Sequence, residues 1–259
     1  MKKISIIISL VLFLAIFAQS QKFVYPDSWG NAGFNLTESR SATVQIVHSI
    51  KEFELNPVNV DGLTMNNVSL PGAFLFNGEG MPNLPGNGRY IAIPTGAVPH
   101  LKILSQRIEI LHNIEVAPAP RIPTDLQPDF PLQKNQEIYS KNAFYPESPV
   151  QISEVQQIRG VDVVILGITP FQYNPVTKDL IVYRDLKVEI TFEVGNGQFG
   201  DVAYRSAWWD PIMQDNILNQ ASLPMVDYSQ RFQSYSKGSR DNECEYIIIS
   251  PRDSLSFLG

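Results

Sequence analysis

Hydrophobic and polar side chains alternate most regularly between Leu180 and Val194. Up to Val194 the even positions carry most of the apolar residues, and from Asp185 the odd positions carry Asp185, Lys187, Glu189, Thr191 and Glu193. Successive side chains of a strand point to opposite faces of its sheet. The pattern therefore predicts a strand with one buried and one solvated face, an element of architecture without chemistry of its own.

Shorter strand candidates separated by turns fill most of the chain before this strand. They include residues 42–55, 90–93 and 161–169, and the 19 prolines and 16 glycines suit many short strands joined by turns. No segment before residue 117 shows a long 3.6-residue period. We expect a mainly β fold, an antiparallel β-sandwich of the jelly-roll-like type.

Four other segments set the expected domain layout. Residues 21–42 read as a polar, irregular N-terminal extension, and residues 117–149 as a long loop with seven prolines. Residues 201–223 are the strongest helix candidate, although Pro211 divides them. The apolar run 245–250 is typical of a strand buried in a parallel sheet. We therefore expect a sandwich over 43–223, a linker over 224–243 and the start of a truncated α/β domain over 244–259.

The N-terminus predicts export. Two lysines precede a 15-residue apolar run that is short for a membrane span, and small residues follow at the positions that signal peptidase requires. Residues 1–20 are the expected signal peptide, with cleavage between Ser20 and Gln21. We expect a protein secreted to the exterior or surface of a bacterium, without stable membrane insertion after cleavage.

Net charge and cysteine content restrict the partners. The formal charge is -6, and removal of Lys2 and Lys3 leaves 18 basic against 26 acidic residues, or -8. No basic cluster is present, so neither nucleic acid nor an anionic membrane is an expected partner. Cys244, the single cysteine, cannot form an internal disulfide and reads as a small buried residue.

Common catalytic and metal-binding motifs are missing from the sequence, and isolated candidates read as structural. The three histidines lack ligand spacing and are expected on strand surfaces or in loops, and a Gly-x-Gly pair precedes Met-Pro instead of a helix. Two adjacent tryptophans are either the anchor of a helix on a sheet, which we favour, or a platform for sugar. These residues are His48, His100 and His112, Gly78 and Gly80, and Trp208 and Trp209.

Three stretches resemble the N-terminal propeptide of gingipain-like secreted cysteine peptidases, which have a caspase-like catalytic domain. Residues 80–94 are similar to the family's Gly-x-Pro-x-Leu-Pro turn and the strand after it. Residues 144–146 and 150–183 are similar to its closing hairpin, which includes a Gln-Tyr-Asn-Pro turn. Residues 244–253 are similar to the start of the peptidase domain.

The resemblance implies a β-sandwich that assists folding of its own downstream peptidase domain and blocks the active site until cleavage. It also implies a blocking side chain on the long loop, and Arg121 is our candidate because a guanidinium forms paired hydrogen bonds with carboxylates in an acidic pocket. Lys134 or Lys141 would serve instead if the enzyme prefers lysine. An ordinary exposed loop charge is the alternative reading of Arg121.

The linker and the truncated domain carry the remaining expectations. Lys237 and Arg240 lie in the linker, and cleavage after either residue would release the propeptide. The family's catalytic His and Cys would lie beyond Gly259, so Cys244 is not the nucleophile and the sequence is expected to be a precursor cut short. We expect no cofactor or metal in the covered chain, whereas calcium is possible in the missing catalytic domain.

Two functions remain open at this stage. The preferred one is a propeptide of a secreted cysteine endopeptidase, acting as folding assistant and latency inhibitor. The other is an extracellular β-sandwich module for binding or adhesion, without enzymatic activity, in which Trp208 and Trp209 form the binding platform.

Overall fold

The computed structural model describes residues 19–73, 75, 77–122 and 131–229. The chain divides into two compact units, Met1–Pro224 and Met225–Gly259, and only residues 225–229 of the second are described. Strands dominate the described part of the first unit. They are β1 (Gln21–Val24), β2 (Gly33–Arg40), β3 (Thr43–Ser49), β4 (Glu52–Val60), β5 (Leu63–Ser69), β6 (Asn87–Ala92), β7 (Ala97–Leu111), β8 (Val150–Ile152), β9 (Gln156–Ile158), β10 (Val161–Ile168), β11 (Phe171–Asn174) and β12 (Asp179–Val194).

The strands form three sheets in which neighbouring strands run antiparallel. One sheet has the order β1-β4-β5, and a second has the order β6-β10-β8 with β9 also paired to β10. The third has the order β11-β12-β3-β2, and β7 pairs with β12 along residues 180–194. The mainly β, antiparallel sandwich expected from the sequence is confirmed.

The predicted alternation of β12 is present, with a change of phase. A register irregularity lies between Tyr183 and Asp185, where β12 pairs with β7. Before it, Leu180 and Val182 pack with the β1-β4-β5 sheet; after it, the even residues pack with the β6-β10-β8 sheet. A bulge shifts the side chains of a strand by one position, so one strand contributes to two cores.

The two larger cores lie on opposite faces of the β12 sheet, and a third, small buried cluster contains Val60, Met65 and Ala117. The larger core contains apolar side chains from β3, β6, β10 and β12, among which Ile46, Val164 and Val188 are fully buried. The smaller core contains Phe53 of β4 and Phe171 of β11, whose rings meet edge to face at 5.3 Å. Removal of this apolar surface from water is the main stabilising term of the fold.

The segment expected to be an irregular extension is part of the sheets instead. Phe23 of β1 stacks on Phe53 of β4 with ring centroids 4.6 Å apart. Farther along, the backbone N–H of Trp29 donates to the buried carboxylate of Asp185 at 2.9 Å, and the Arg107 guanidinium donates to the same carboxylate. The prediction for residues 21–40 was wrong because cross-strand bonding to buried neighbours outweighs a polar composition.

The helix expected over residues 201–223 is present only in pieces. Val202–Tyr204 and Gln220–Ser222 are single 3₁₀ turns, and α2 covers Asp210–Asn216. Pro211 does not divide α2 but lies in its first turn, where a missing N–H costs no intrahelical hydrogen bond. The other short α-helix, α1, covers Gln136–Tyr139 within the proline-rich segment.

Candidate functional site

The proline-rich segment begins as a fixed, extended chain between two neighbours. On one side the N–H of Ala117 donates to the carbonyl of Asn66 at 2.8 Å. On the other side the N–H of Ala119 donates to the carbonyl of Met81 at 2.7 Å. Ala117 and Ala119 are buried, whereas the chain is exposed from residue 120 onward to residue 122.

Gly80 holds both ends of the loop over residues 120–134. Its N–H donates to the carbonyl of Ala119 at 3.0 Å, and its own carbonyl accepts from the N–H of Asn135 at 2.9 Å. Its φ is +77°, and a Cβ at this position would lie 3.0 Å from the Asn135 nitrogen and from the Gln133 oxygen. Glycine is required here for both reasons, so both ends of the loop are hydrogen-bonded to one residue.

A short helix fixes the returning side of the loop. The side chain of Asn135 accepts from the N–H of Glu137 and caps α1. The hydroxyl of Tyr139 donates to the carbonyl of Val116 at 3.0 Å. Burial raises the pKa of Tyr139, so the hydroxyl keeps its proton and this bond at neutral pH.

The Gln-Tyr-Asn-Pro turn singled out in the sequence anchors the chain farther along. The side chain of Gln172 donates to the carbonyl of Pro146 at 2.8 Å. Tyr173 and Tyr145 exchange two backbone hydrogen bonds, of 2.9 and 2.8 Å. The motif therefore fixes the segment that follows the loop, and the sequence did not reveal this role because the partners lie about 25 residues away.

Arg121 follows the fixed part of the chain by two residues. Its side chain is 51% exposed, and its Nε lies 3.9 Å from a carboxylate oxygen of Glu79, which is itself 62% exposed. An exposed ion pair at this distance contributes little free energy. Arg121 is therefore an exposed residue two positions beyond the fixed backbone of Ala119, and its ion pair with Glu79 is weak.

The two lysine candidates have different surroundings. Lys134, the last residue of the loop, is half-buried, with its ammonium 5.4 Å from the centre of the Tyr139 ring. Lys141 lies beyond α1, where its N–H donates to the carbonyl of Ile138. Of the three basic candidates, only Arg121 is an exposed residue of the 120–134 loop.

The predicted signal cleavage junction falls at the beginning of the sheet. Gln21 is the first residue of β1 and pairs with Leu55, and the Ser20 hydroxyl donates to the Asn56 side chain at 2.7 Å. Cleavage between Ser20 and Gln21 stays a prediction. Residues 1–18, Lys237, Arg240 and Cys244 lie outside the part of the chain that the structure describes.

The tryptophan pair does not anchor the helix as favoured from the sequence. Trp208 is 68% exposed and Trp209 is 41% exposed, and the Arg159 guanidinium lies 4.6 Å from the centre of the Trp209 ring. Buried side chains of Met213 and Ile217 fix α2 instead. The prediction failed because these smaller residues fill the core, so the exposed indoles need another explanation.

One of the three histidines departs from its prediction. His100 and His112 are exposed, each beside a carboxylate, as expected for surface residues. His48 of β3 is instead 1% exposed, and burial lowers its pKa to about 4. Within the described ranges, no three His, Cys, Asp or Glu side chains are grouped as a metal site requires, and no helix there is long and apolar enough to cross a membrane.

The fold and the loop together define a class of protein: an antiparallel β-sandwich that carries an exposed basic residue at the start of a loop with fixed ends. Comparison with known families identifies which one. The Propeptide_C25 family matches residues 29–219, and the chain belongs to that family.

Individual relatives agree with this assignment. Lys-gingipain HG66 of Porphyromonas gingivalis is 28% identical over 152 residues, which is 56% of this chain and 9% of the relative. A gingipain R1 of the same organism is 27% identical over 114 residues, which is 44% of this chain and 12% of the relative. The matches thus span a small fraction of these much longer relatives.

Two solved structures share the fold. The complex of Porphyromonas gingivalis RgpB pro- and mature domains matches with a TM-score of 0.66 at 18% identity, covering 74% of this chain and 98% of the matched chain. A structure describing zymogenic latency of gingipain K from the same organism matches with a TM-score of 0.55 at 26% identity, covering 68% and 100%. The chain shares its fold with both matched chains over more than two thirds of its length.

Proposed function

We propose that this chain assists the folding of a secreted gingipain-type cysteine endopeptidase and inhibits it, as the N-terminal part of the same precursor. The observation that carries the proposal is the 120–134 loop, which is closed on Gly80 and presents Arg121 in a family of propeptides. The family match over the sandwich favours this function over an adhesion module.

Inhibition follows from the shape and charge of the loop. The Arg121 guanidinium enters the enzyme's specificity pocket and forms paired hydrogen bonds with a carboxylate there. Pro120 and Pro123 flank it in the sequence and favour an extended chain. Because Arg121 lies two residues beyond Ala119, whose backbone is fixed by hydrogen bonds to Gly80 and Met81, we expect little conformational entropy to be lost when it binds, and the peptide bond after it to be held away from attack geometry.

Release would follow cleavage of the chain between the sandwich and the peptidase. Lys237 and Arg240 are the proposed cleavage positions, and a peptidase that prefers basic residues would process its own precursor. The signal peptide would direct this reaction to the cell exterior or surface. The downstream peptidase domain is thus the partner of the sandwich.

Inhibition in trans tests the proposal. Residues 21–259 are added to the protein's own processed peptidase, obtained from the complete reading frame, and the inhibition constant is measured with a peptide substrate. Arg121→Ala should raise the inhibition constant by about 30-fold or more, the effect of losing an interface hot spot. Arg121→Lys should restore part of the inhibition, since it keeps the charge but not the paired hydrogen bonds.

Matched variants separate the outcomes. Arg40→Ala removes an exposed arginine of β2 that pairs with Glu38, and it should leave inhibition unchanged. If Lys134→Ala abolishes inhibition and Arg121→Ala does not, Lys134 is the blocking residue. A reading frame without a peptidase, or a chain that leaves its peptidase fully active, would overturn the proposed function.

A further inference from the structure

A second exposed surface lies in the segment that leads out of the sandwich. Five large apolar side chains within 11 residues are between 41% and 68% exposed. They are Val202, Tyr204, Trp208, Trp209 and Ile212, which we call the aromatic surface. Exposed apolar groups of this kind mark interaction sites on soluble proteins, and Trp and Tyr carry much of the energy of interfaces.

The aromatic surface is held rigidly by a buried ion pair. Arg205 Nε donates to one Asp210 oxygen at 2.6 Å and Arg205 Nη2 donates to the other at 2.8 Å. Both side chains are at least nine-tenths buried. A paired Arg–carboxylate interaction fixes geometry as well as distance, so the chain between Tyr204 and Trp209 is fixed at both ends.

Two rings of the aromatic surface rest on the same turn. The Arg159 guanidinium lies 4.6 Å from the centre of the Trp209 ring. At the next residue, a Cβ on Gly160 would lie 2.9 Å from the Tyr204 ring, and the Gly160 carbonyl accepts from the N–H of Asp201. Tyr204 and Trp209 therefore each contact a residue of the β9–β10 turn.

Full burial of a Trp or Tyr side chain removes about 150–250 Å² of surface from water. Even partial burial of one such ring strengthens binding several-fold. The side chains around Trp208 are already ordered by the sandwich, so a partner would bind without ordering them first. The aromatic surface thus has the composition and the rigidity of a docking site whose partner is not part of the described chain.

We propose that the aromatic surface docks on the peptidase domain of the same precursor and keeps the propeptide bound after the linker is cleaved. This inference rests on the proposed function. The first compact unit ends at Pro224, and the segment that resembles the start of the peptidase domain begins at Cys244. Twenty residues reach at most about 70 Å, so the peptidase is the partner present at the highest effective concentration.

The two contacts have different roles. Arg121 occupies the specificity pocket, and this contact is lost when another ligand fills the pocket. The aromatic surface binds outside the pocket, so it should hold the propeptide to a peptidase whose active site is blocked. After linker cleavage, when the tether no longer supplies effective concentration, this contact slows dissociation and delays activation.

Binding to blocked peptidase tests the inference. The protein's own peptidase is inactivated with a covalent peptide inhibitor, and binding of residues 21–259 is measured by calorimetry. Wild type and Arg121→Ala should bind with similar affinity, whereas Trp208→Ala should bind about 30-fold or more weakly. Trp29→Ala, which removes a partly exposed indole outside the aromatic surface, should bind as wild type does.

Tryptophan fluorescence provides a readout that folding defects do not mimic. Binding should shift the tryptophan emission to shorter wavelength as the indoles of the aromatic surface leave water, and Trp208→Phe should lose the larger part of the shift while retaining most of the affinity. Unchanged binding of Trp208→Ala, together with no emission shift, would overturn the docking role. So would a Trp208-dependent interaction with a glycan or a second copy of the chain that leaves peptidase binding intact.

The two proposals fail separately. If wild type does not inhibit unblocked peptidase, the proposed function is wrong. If wild type inhibits, and Trp208→Ala inhibits and dissociates as wild type does, only the docking role of the aromatic surface is wrong.

Discussion

Gly80 is the residue on which the geometry of the 120–134 loop depends. Gly80→Ala would place a Cβ 3.0 Å from the Asn135 nitrogen at a φ of +77°. We expect a loss of about 1–3 kcal/mol in the free energy of unfolding and faster amide exchange at Ala119 and Asn135, because the loop ends separate. Urea unfolding and hydrogen exchange measure the two effects.

Gly72→Ala is the matched control. Gly72 has a similar φ of +73°, but no atom lies within 4 Å of the added Cβ. It should show only the backbone cost of about 1–2 kcal/mol and leave exchange at Asn135 unchanged. Equal exchange in the two variants would contradict the role assigned to Gly80.

His48 makes the stability of the sandwich depend on pH. Its folded pKa of about 4 lies below the ordinary 6.5, because burial outweighs the opposing effect of the Asp185 carboxylate. Between these values the unfolded chain binds a proton that the folded chain does not. Stability is therefore complete above about pH 6.5 and falls by about 3 kcal/mol as the pH drops to about 4.

Urea unfolding at pH 7 and pH 5 checks this dependence. His48→Leu should remove most of the His48 contribution in this window, since the replacement has no proton to gain. Its stability at pH 7 should stay close to that of wild type, because neither ring nitrogen of His48 has a hydrogen-bond partner in the described structure. His112→Gln, at an exposed site, should retain the pH dependence; loss of it there would show that His48 is not the cause.

At the residue scale, the sequence shows which type of side chain stands at a position but not its hydrogen-bond partners or its burial in the folded protein. Arg121 is a candidate because the family resemblance implies a blocking side chain on the long loop, and its role stays a prediction. Gly80 was noticed only as half of a rejected Gly-x-Gly motif, since its partners at Ala119 and Asn135 are 39 and 55 positions away. His48 lies on a strand with several polar neighbours, and its burial depends on which sheet covers that strand.

At the element scale, β12 shows how one bulge divides a strand between two cores. Val188 pairs with Ile46 in the larger core, whereas Val182 lies in the smaller one. We expect Ile46→Val and Val188→Ala to be coupled by about 0.5 kcal/mol or more, because they share a packing environment. Val182→Ala and Val188→Ala, six residues apart along the strand, should add within about 0.5 kcal/mol.

Unfolding free energies of the single and double variants in urea provide the measurement. Strong coupling between Val182 and Val188 would mean that the two cores behave as one. The sequence predicted most of the buried positions of β12, because alternation is a local property. It was wrong for Asp185, which was expected on the solvated face and is buried, and for Val194, which was expected on the buried face and is 86% exposed. It did not predict the bulge, since the shift between Tyr183 and Asp185 leaves the even positions apolar on both sides.

Local pattern failed where neighbours decide the structure of an element. β1 and β2 have few apolar residues, yet they pair with β4 and β3 and complete their sheets. The Trp208-Trp209 pair reads as a core anchor by composition, but Arg205, Asp210 and Met213 occupy the buried positions around it. The prediction for β1 and β2 failed because their partner strands lie elsewhere in the sequence. The prediction for the tryptophan pair failed because other side chains fill the buried positions.

At the scale of the whole molecule, the antiparallel β class followed from short strands, frequent turns and one alternating strand. The division into three sheets and two cores did not, because it depends on pairings between strands far apart in sequence. Two of the three stretches that carry the family resemblance are attachment points of the loop: the turn after Gly80 holds its base, and the turn at Gln172 holds the chain beyond it.

Because both ends of the loop are hydrogen-bonded to Gly80, the residues between them can be replaced as a unit. The residues at the two ends of the loop, Ala119 and Asn135, are hydrogen-bonded to the N–H and the C=O of Gly80. The scaffold therefore constrains where the loop begins and ends but not which residues lie between. Residues 120–131 can therefore change in length and in the identity of the basic residue without repacking the two larger cores, whereas Leu132 packs against the third buried cluster. A scaffold of this kind lets a new enzyme specificity be matched by grafting a single segment.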